Sequence, residues 1–220
     1  MTAAKKPRVH HHLSREVIAR AALDLVDREG ADALSLRRTA DSLGVGVMNL
    51  YTYVDDRDSV VSDVVALLLA EIELPEDPDI PWEEFVVTVG RSLRAMALRH
   101  PHAFPFVALA PYDEKPLVRY ARRVERAFVQ CGFPQELLSK IGSVLDAHGT
   151  GFLLLETQAA VARSAPQVRG PFDDEPDESA LMSSFADPDA AFEEGMRTII
   201  TGFKVRNELP DAPSASGKKP

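Results

Sequence analysis

A single cysteine, Cys131, stands in a chain of 220 residues. No internal disulfide can form, and the paired-cysteine spacing of a zinc finger is excluded. Long apolar runs are missing as well. A membrane span needs about 18–20 apolar residues in a row. The longest candidate, Val60 to Ile72, is interrupted by Ser62, Asp63 and Glu71. The first residues are basic with no apolar core behind them, so no secretory signal is expected and the expected location is cytoplasmic. No stretch alternates with period two, so strands are not expected, and no internal repeat is visible. The chain also lacks a GxSxG elbow, an HExxH pair, a P-loop and a dinucleotide fingerprint. Gly44-Val45-Gly46 is a two-glycine coincidence, and His148-Gly-Thr-Gly sits in a helical pattern without an acid–base partner. The expectation is no enzyme, no cofactor and no bound metal.

An excess of positive charge is missing too: 34 Asp and Glu outnumber 25 Lys and Arg, for a net of −9. Alone, that balance argues against a nucleic-acid partner. Its distribution argues otherwise. Residues 1–57 hold nine Lys and Arg against eight Asp and Glu, a net of +1, and the remainder holds 16 against 26, a net of −10. Within residues 1–20 the net is +4, with His10, His11 and His12 in addition. A basic front on an acidic body can turn one face to phosphate.

What is present is helical patterning. Hydrophobic residues make up 45% and charged residues 27%, a globular mix that excludes wholesale disorder. Residues 1–12 read as a disordered basic arm. Ser14 caps a first helix carrying Leu13, Val17, Ile18, Ala21, Ala22, Leu25 and Val26 at helical spacing, and Gly30 stops it. Ser35 caps a second, at about 36–43, ended by Gly44. A third follows at about 46–53. Asp55 or Asp56 caps a fourth, to about Ile72. The Pro-rich stretch Leu74 to Pro81 reads as a hinge. Beyond it come a stripe from Phe85 to Ala97 ended by His100-Pro101, at most a short helix within 102–112, and a helix from Leu117 to Val129. A long helix runs from Pro134 to about Ala162. Ser164 to Asp187 reads as mobile, and a last helix spans about 188–206. The resulting domains are a head over 13–57, a connecting helix and hinge over 58–81, a helical domain over 82–207, and a disordered tail over 208–220.

The informative segment is Ser35 to Val54, SLRRTADSLGVGVMNLYTYV. Two short helices joined at Gly44 form a helix-turn-helix candidate. Small Ala40 lets the helices cross closely, and Gly44 takes a left-handed turn without steric cost. Leu36, Leu43, Val45, Leu50 and Val54 suit the inner face. Arg37, Val47, Met48, Asn49, Tyr51, Thr52 and Tyr53 are left outside, a set suited to bases and phosphates. The plainer alternative packs the two tyrosines on the first helix and leaves Arg37, Arg38 and Met48 as ordinary surface.

From Leu13 to about Val65 the sequence resembles the DNA-binding domain of the TetR family of transcriptional repressors. The matching pieces are LRRTADSLGV, LYTYV and DRDSVVSDV. The later segments RHPHAF, QCGFPQELLSKIGSVLDAHGTGFLLLE and FEEGMRTIITGF resemble the tetracycline-repressor type of C-terminal domain. The resemblance implies an all-α protein, with a three-helix helix-turn-helix domain followed by a helical ligand-binding and dimerisation domain. It implies a base or phosphate contact at Arg37, major-groove contacts at Val47, Met48 and Asn49, and phosphate contacts at Tyr51, Tyr53 and Arg57; Thr52 lies on the same face. There are three departures from the family pattern. Gly46 replaces a small polar residue, Tyr53 replaces a histidine, and Asp55 and Asp56 put negative charge beside the DNA-facing edge, where they suit a helix cap.

The implied partners are a palindromic double-stranded operator, a small-molecule inducer and a second copy of the chain. Met96, His100, Phe104, Tyr120, His148 and Phe152 are the pocket candidates, since an apolar, aromatic lining with a few polar tips suits small molecules. Plain core is the alternative for each, and a satisfied core histidine for His148. Where the resemblance would place a metal-facing histidine the chain reads AFPFVALAP, so a magnesium–tetracycline chelate is not expected and an apolar or aromatic inducer is. Ile141, Val144, Phe192, Met196, Ile200 and Phe203 are expected at the dimer interface. The alternative function is a helical dimeric adaptor without specific DNA binding, favoured by the acidic balance and by Asp55 and Asp56.

Overall fold

The computed structural model describes residues 13–77, 79–164 and 187–209. The expected basic arm, most of the expected mobile segment and the tail from Pro210 lie outside them. The described residues form helices and turns with no strand, and they divide into two compact units, one through Leu67 and one from Leu68.

In the first unit, α1 (Arg15–Glu29) begins where the Ser14 hydroxyl accepts from the Val17 N–H at 3.2 Å. It ends at Gly30, whose φ of 87° suits a residue without a Cβ. Helix α2 (Leu36–Leu43) repeats the device, with Ser35 Oγ accepting from Arg38 N at 3.2 Å. Gly44 closes α2 in the left-handed conformation, φ 67°, as expected from sequence. Helix α3 (Val47–Leu50) is a single turn, shorter than the expected 46–53. Gly46 offers no side-chain cap, and the chain continues as hydrogen-bonded turns, with Tyr53 N donating to Leu50 O at 2.8 Å. Helix α4 (Arg57–Ala70) starts on Asp56. Ser59 N donates to Asp56 Oδ1 at 2.8 Å and Asp56 N donates to Ser59 Oγ at 3.2 Å, a reciprocal box at the helix start. Ile18, Ala22, Val26, Leu34, Ala40, Leu50, Val54, Val60 and Val64 are buried among these helices. Each large apolar side chain removed from water contributes about 1.5–3 kcal/mol.

The second unit contains α5 (Trp82–Arg99), α6 (Phe104–Ala108), α7 (Lys115–Gln130), α8 (Leu138–Ser164) and α9 (Pro188–Arg206). Helix α8 begins four residues later than expected because Pro134 opens a 3-10 turn over Gln135–Leu137. Helix α9 packs on both α8 and α5. Two glycines make this closeness possible: a Cβ on Gly195 would meet His148 at 2.3 Å, and one on Gly90 would meet Met196 at 2.7 Å. Beside them, Trp82 meets the ring of Phe133 at 4.9 Å, and Phe128 stacks on Phe133 at 4.5 Å. Ion pairs lace the same helices, with Arg94 to Glu156 and Lys204 to Glu83 at 2.5 and 2.6 Å. None of the helices among the described residues is long and apolar enough to cross a membrane.

Candidate nucleic-acid interface

Helix α3 hangs from two anchors, Leu50 and Val54, with 0% and 1% of their surface exposed. Between and before them the chain turns its polar side chains outward. Arg37, Met48, Asn49, Tyr51 and Thr52 are exposed, and Val47 and Tyr53 are half-buried. Of the expected inner face, Leu36, Leu43 and Val45 are only half-covered, since α2 and α3 together are too short to wrap them. The two expected phosphate arginines differ. Arg37 makes no side-chain hydrogen bond or ion pair with the described residues. Arg57 donates from Nε to the carbonyl of Leu34 at 3.1 Å, and its terminal nitrogen lies 3.9 Å from Asp58. That bond ties the start of α4 to the turn before α2 and holds the guanidinium at the edge of the unit. Arg38 is engaged by Glu29, which fits the alternative of a solvated surface residue.

The six pocket candidates fall at separate places in the second unit. Met96 and Phe104 are fully buried. His100 terminates α5 and lies 3.2 Å from Glu71. Tyr120 is half-buried beneath the guanidinium of Arg123, 5.9 Å from the ring centre, and burial pushes its hydroxyl up to about 12. His148 is half-buried and engaged within its own unit. Its Nε2 lies 3.2 Å from the carbonyl of Phe192, its ring stacks on Phe192 at 5.7 Å, and Phe152 packs 5.9 Å away. A cleft of about 400 Å³ opens in this unit, lined by Glu71, Glu73, Pro75, Arg91, Ser92 and Arg99 among others, and by none of the six candidates.

The expected dimer residues need correction. Ile141, Phe192, Met196 and Ile200 are 0–5% exposed within one chain, so pairing can bury almost none of their surface. The physical reason is that α9 has two neighbours of its own, and its apolar stripe is spent on them. Phe203 is half-buried, 6.1 Å from Phe133. Val144 remains outside, as do Leu155 and Val205, at 48%, 76% and 77% exposure.

Residues 74–207 match the model of the tetracyclin repressor-like C-terminal domain. The chain belongs to the TetR family. Its members are transcriptional regulators rather than enzymes. An HTH-type transcriptional regulator of Saccharopolyspora erythraea is 26% identical over 210 residues, covering 90% of this chain and 88% of that one. The class A tetracycline repressor of transposon 1721, from Escherichia coli, is 29% identical over 206 residues, covering 88% and 92%. The crystal structure of the Streptomyces coelicolor TetR family protein ActR in complex with actinorhodin superposes with a TM-score of 0.69 at 28% identity, covering 93% and 99%.

Within this TetR-family chain, sequence reasoning missed the polar groups that join distant helices. Arg94 bonds Glu156 and Asp189, and its guanidinium is held more firmly protonated by the Glu156 carboxylate. Arg123 donates to the carbonyl of Ile72 at 2.5 Å, just beyond α4. No local pattern marks such pairs, because the partners are more than 50 residues apart.

Proposed function

We propose that this chain is a ligand-responsive repressor that binds a palindromic operator as a homodimer and is released by a small-molecule inducer. The observation that carries the reading is the row of exposed side chains at Arg37, Met48, Asn49, Tyr51 and Thr52, set on a short helix by buried Leu50 and Val54. Exposed Asn and Arg offer bidentate contacts to base edges, and the tyrosine hydroxyls and Arg57 suit phosphate. One such helix reads only a short half-site, so two-fold pairing on a palindrome supplies the rest. The exposed, mostly small face of α8 and α9 around Val144, Ala147, Gly151, Leu155, Thr201 and Val205 supports pairing of these helices. The match to ActR, crystallised with actinorhodin, supports an aromatic inducer. The coupling element is α4, which is continuous across the boundary between the two units. An inducer that prefers one tilt of this helix shifts the population of the two states.

The test is binding to the duplex upstream of the protein's own gene, followed by anisotropy at several salt concentrations. A repressor binds that duplex specifically, with affinity falling steeply as salt rises. An adaptor shows no preference over a scrambled duplex, and that outcome ends the reading.

A further inference from the structure

Arg15, Arg91 and Arg94 hold a carboxylate in the same way. Each turns one edge of its guanidinium, Nε together with Nη2, onto both oxygens of a single acid: Asp63, Glu193 and Glu156, with bonds between 2.5 and 3.0 Å. Such a two-bond fork is among the strong ways in which an arginine binds an anion. Arg123, on α7, has the same edge and leaves it half filled. Its Nη2 donates to the backbone carbonyl of Ile72 at 2.5 Å. Its Nε is shut away from solvent with no hydrogen-bond partner. One turn earlier stands Tyr120, with the guanidinium 5.9 Å over its ring centre. The Tyr120 hydroxyl makes no hydrogen bond with the described residues, and burial keeps it protonated, hence a donor, at neutral pH. A buried donor without an acceptor is costly, and native proteins keep few of them.

Among the described residues no carboxylate fills this edge. Asp146, whose charge reaches Tyr120, is taken by the hydroxyls of Tyr112 at 2.9 Å and Thr150 at 3.3 Å. Glu71, next to Ile72 in sequence, is held by Arg99 and His100. A backbone carbonyl offers the edge one neutral acceptor, where a carboxylate offers two oxygens and a full charge. A carboxylate that reaches Nε also takes Nη2, and the Ile72 carbonyl then loses its bond. Ile72 is buried and lies two residues past the end of α4.

We propose that Arg123 and Tyr120 form a site for a small aromatic molecule bearing a carboxylate, which displaces the Ile72 carbonyl from the Nε–Nη2 edge of Arg123. The proposal rests on the reading of the chain as ligand-responsive. It adds the chemistry of the inducer and the bond through which binding is felt at the end of α4. Without ligand, the Arg123–Ile72 bond closes the edge. With ligand, the edge is filled and the segment after α4 is released. The carboxylate therefore prefers the state in which that bond is broken, which is the differential affinity a two-state switch needs.

The experiment titrates the full chain with 2-naphthoate, and with 2-naphthamide as its uncharged counterpart, by calorimetry. 2-Naphthoate should bind about 10- to 100-fold more tightly, because hydrogen bonds to a charged group are the stronger ones. Arg123→Met should remove that preference. Arg123→Lys, which keeps the charge without the fork, should retain part of it. Arg126→Met, at an exposed arginine of α7 that bonds the Arg122 carbonyl of its own helix, should change nothing. Thermal melting accompanies each variant. If Arg123→Met melts early, Tyr120→Phe carries the test, since it deletes one donor, leaves Arg123 in place and should weaken 2-naphthoate by about 3- to 10-fold. A second arm measures binding to the duplex upstream of the protein's own gene, which saturating 2-naphthoate should weaken in the wild-type chain and not in Arg123→Met. A wild-type chain that binds the two probes equally, or binds neither, overturns the proposal and leaves the repressor reading standing. A chain that prefers 2-naphthoate through Arg123 but releases no duplex keeps the site and overturns its role in induction. A chain with no preference for its own upstream duplex ends the repressor reading and leaves the site.

Discussion

Leu50 and Val54 show how few residues orient the candidate recognition surface, since their burial leaves Asn49 and Tyr51 no direction but outward. Arg37→Ala and Asn49→Ala should each weaken operator binding by about 1–3 kcal/mol and relax specificity at one base position. Tyr51→Phe should weaken binding to all duplexes alike, because a phosphate contact carries no sequence information. Anisotropy against an operator and its single-base variants checks the set, and three wild-type affinities would refute the orientation of α3. A second residue-scale expectation concerns Tyr120. Burial raises its hydroxyl to about 12, against an ordinary value of about 10. Above about pH 10 the unfolded chain gives up that proton while the folded chain keeps it, so stability falls between about pH 10 and 12. Tyr120→Phe removes the titrating group and should flatten that decline. The full difference, about 2–3 kcal/mol, is reached only above about pH 12; at about pH 11 it is at most about half that, and less because the side chain is partly open to water. Urea unfolding at about pH 9 and about pH 11 reads it; equal declines in both proteins would contradict the burial account.

At the scale of elements, the second unit depends on how closely α9 approaches α5 and α8. Gly195 faces the His148 ring, a rigid group whose position is set by its contacts with Phe192 and Phe152. Gly195→Ala should therefore destabilise the protein by about 1–3 kcal/mol through overpacking. Gly90 is crowded chiefly by the terminal methyl of Met196, a flexible end that can turn aside, with Phe192 at ordinary contact distance. Gly90→Ala should cost clearly less. Denaturant unfolding of the two variants separates them, and equal losses would mean that His148 is not fixed as described. The ion pairs between the same helices add a pH dependence. Hydrogen bonds from Arg91 and Arg197 hold the Glu193 carboxyl below its usual range. Its contribution is present above the ordinary carboxylate value and is lost as pH falls through the lowered one. In the first unit, the cap residues Ser14, Ser35 and Asp56 act within three positions of themselves, which is why those helix starts could be read directly.

For the whole molecule, the expected homodimer separates two kinds of apolar residue. Leu155→Glu should convert the dimer to monomer in sedimentation at micromolar concentration while leaving the fold intact, because Leu155 is 76% exposed in one chain. Phe192→Ala should instead destabilise the fold by about 3–5 kcal/mol, as large core truncations do. A Leu155→Glu dimer would place the interface elsewhere. By itself, the sequence determined the all-helical class, the two short helices around Gly44 and the outward set from Arg37 to Thr52, because periodicity, caps and the left-handed glycine act within one or two turns of chain. It also placed α9 correctly at 188–206, from an apolar stripe that ends in a polar tail. Only the tertiary structure decided what each stripe lies against. His148 and Phe192 are 44 residues apart, and Arg94 and Glu156 are 62 apart. An apolar stripe declares that a face is buried without naming its partner. Phe192, Met196 and Ile200 could therefore be read as facing a second chain until α5 and α8 were seen to cover them.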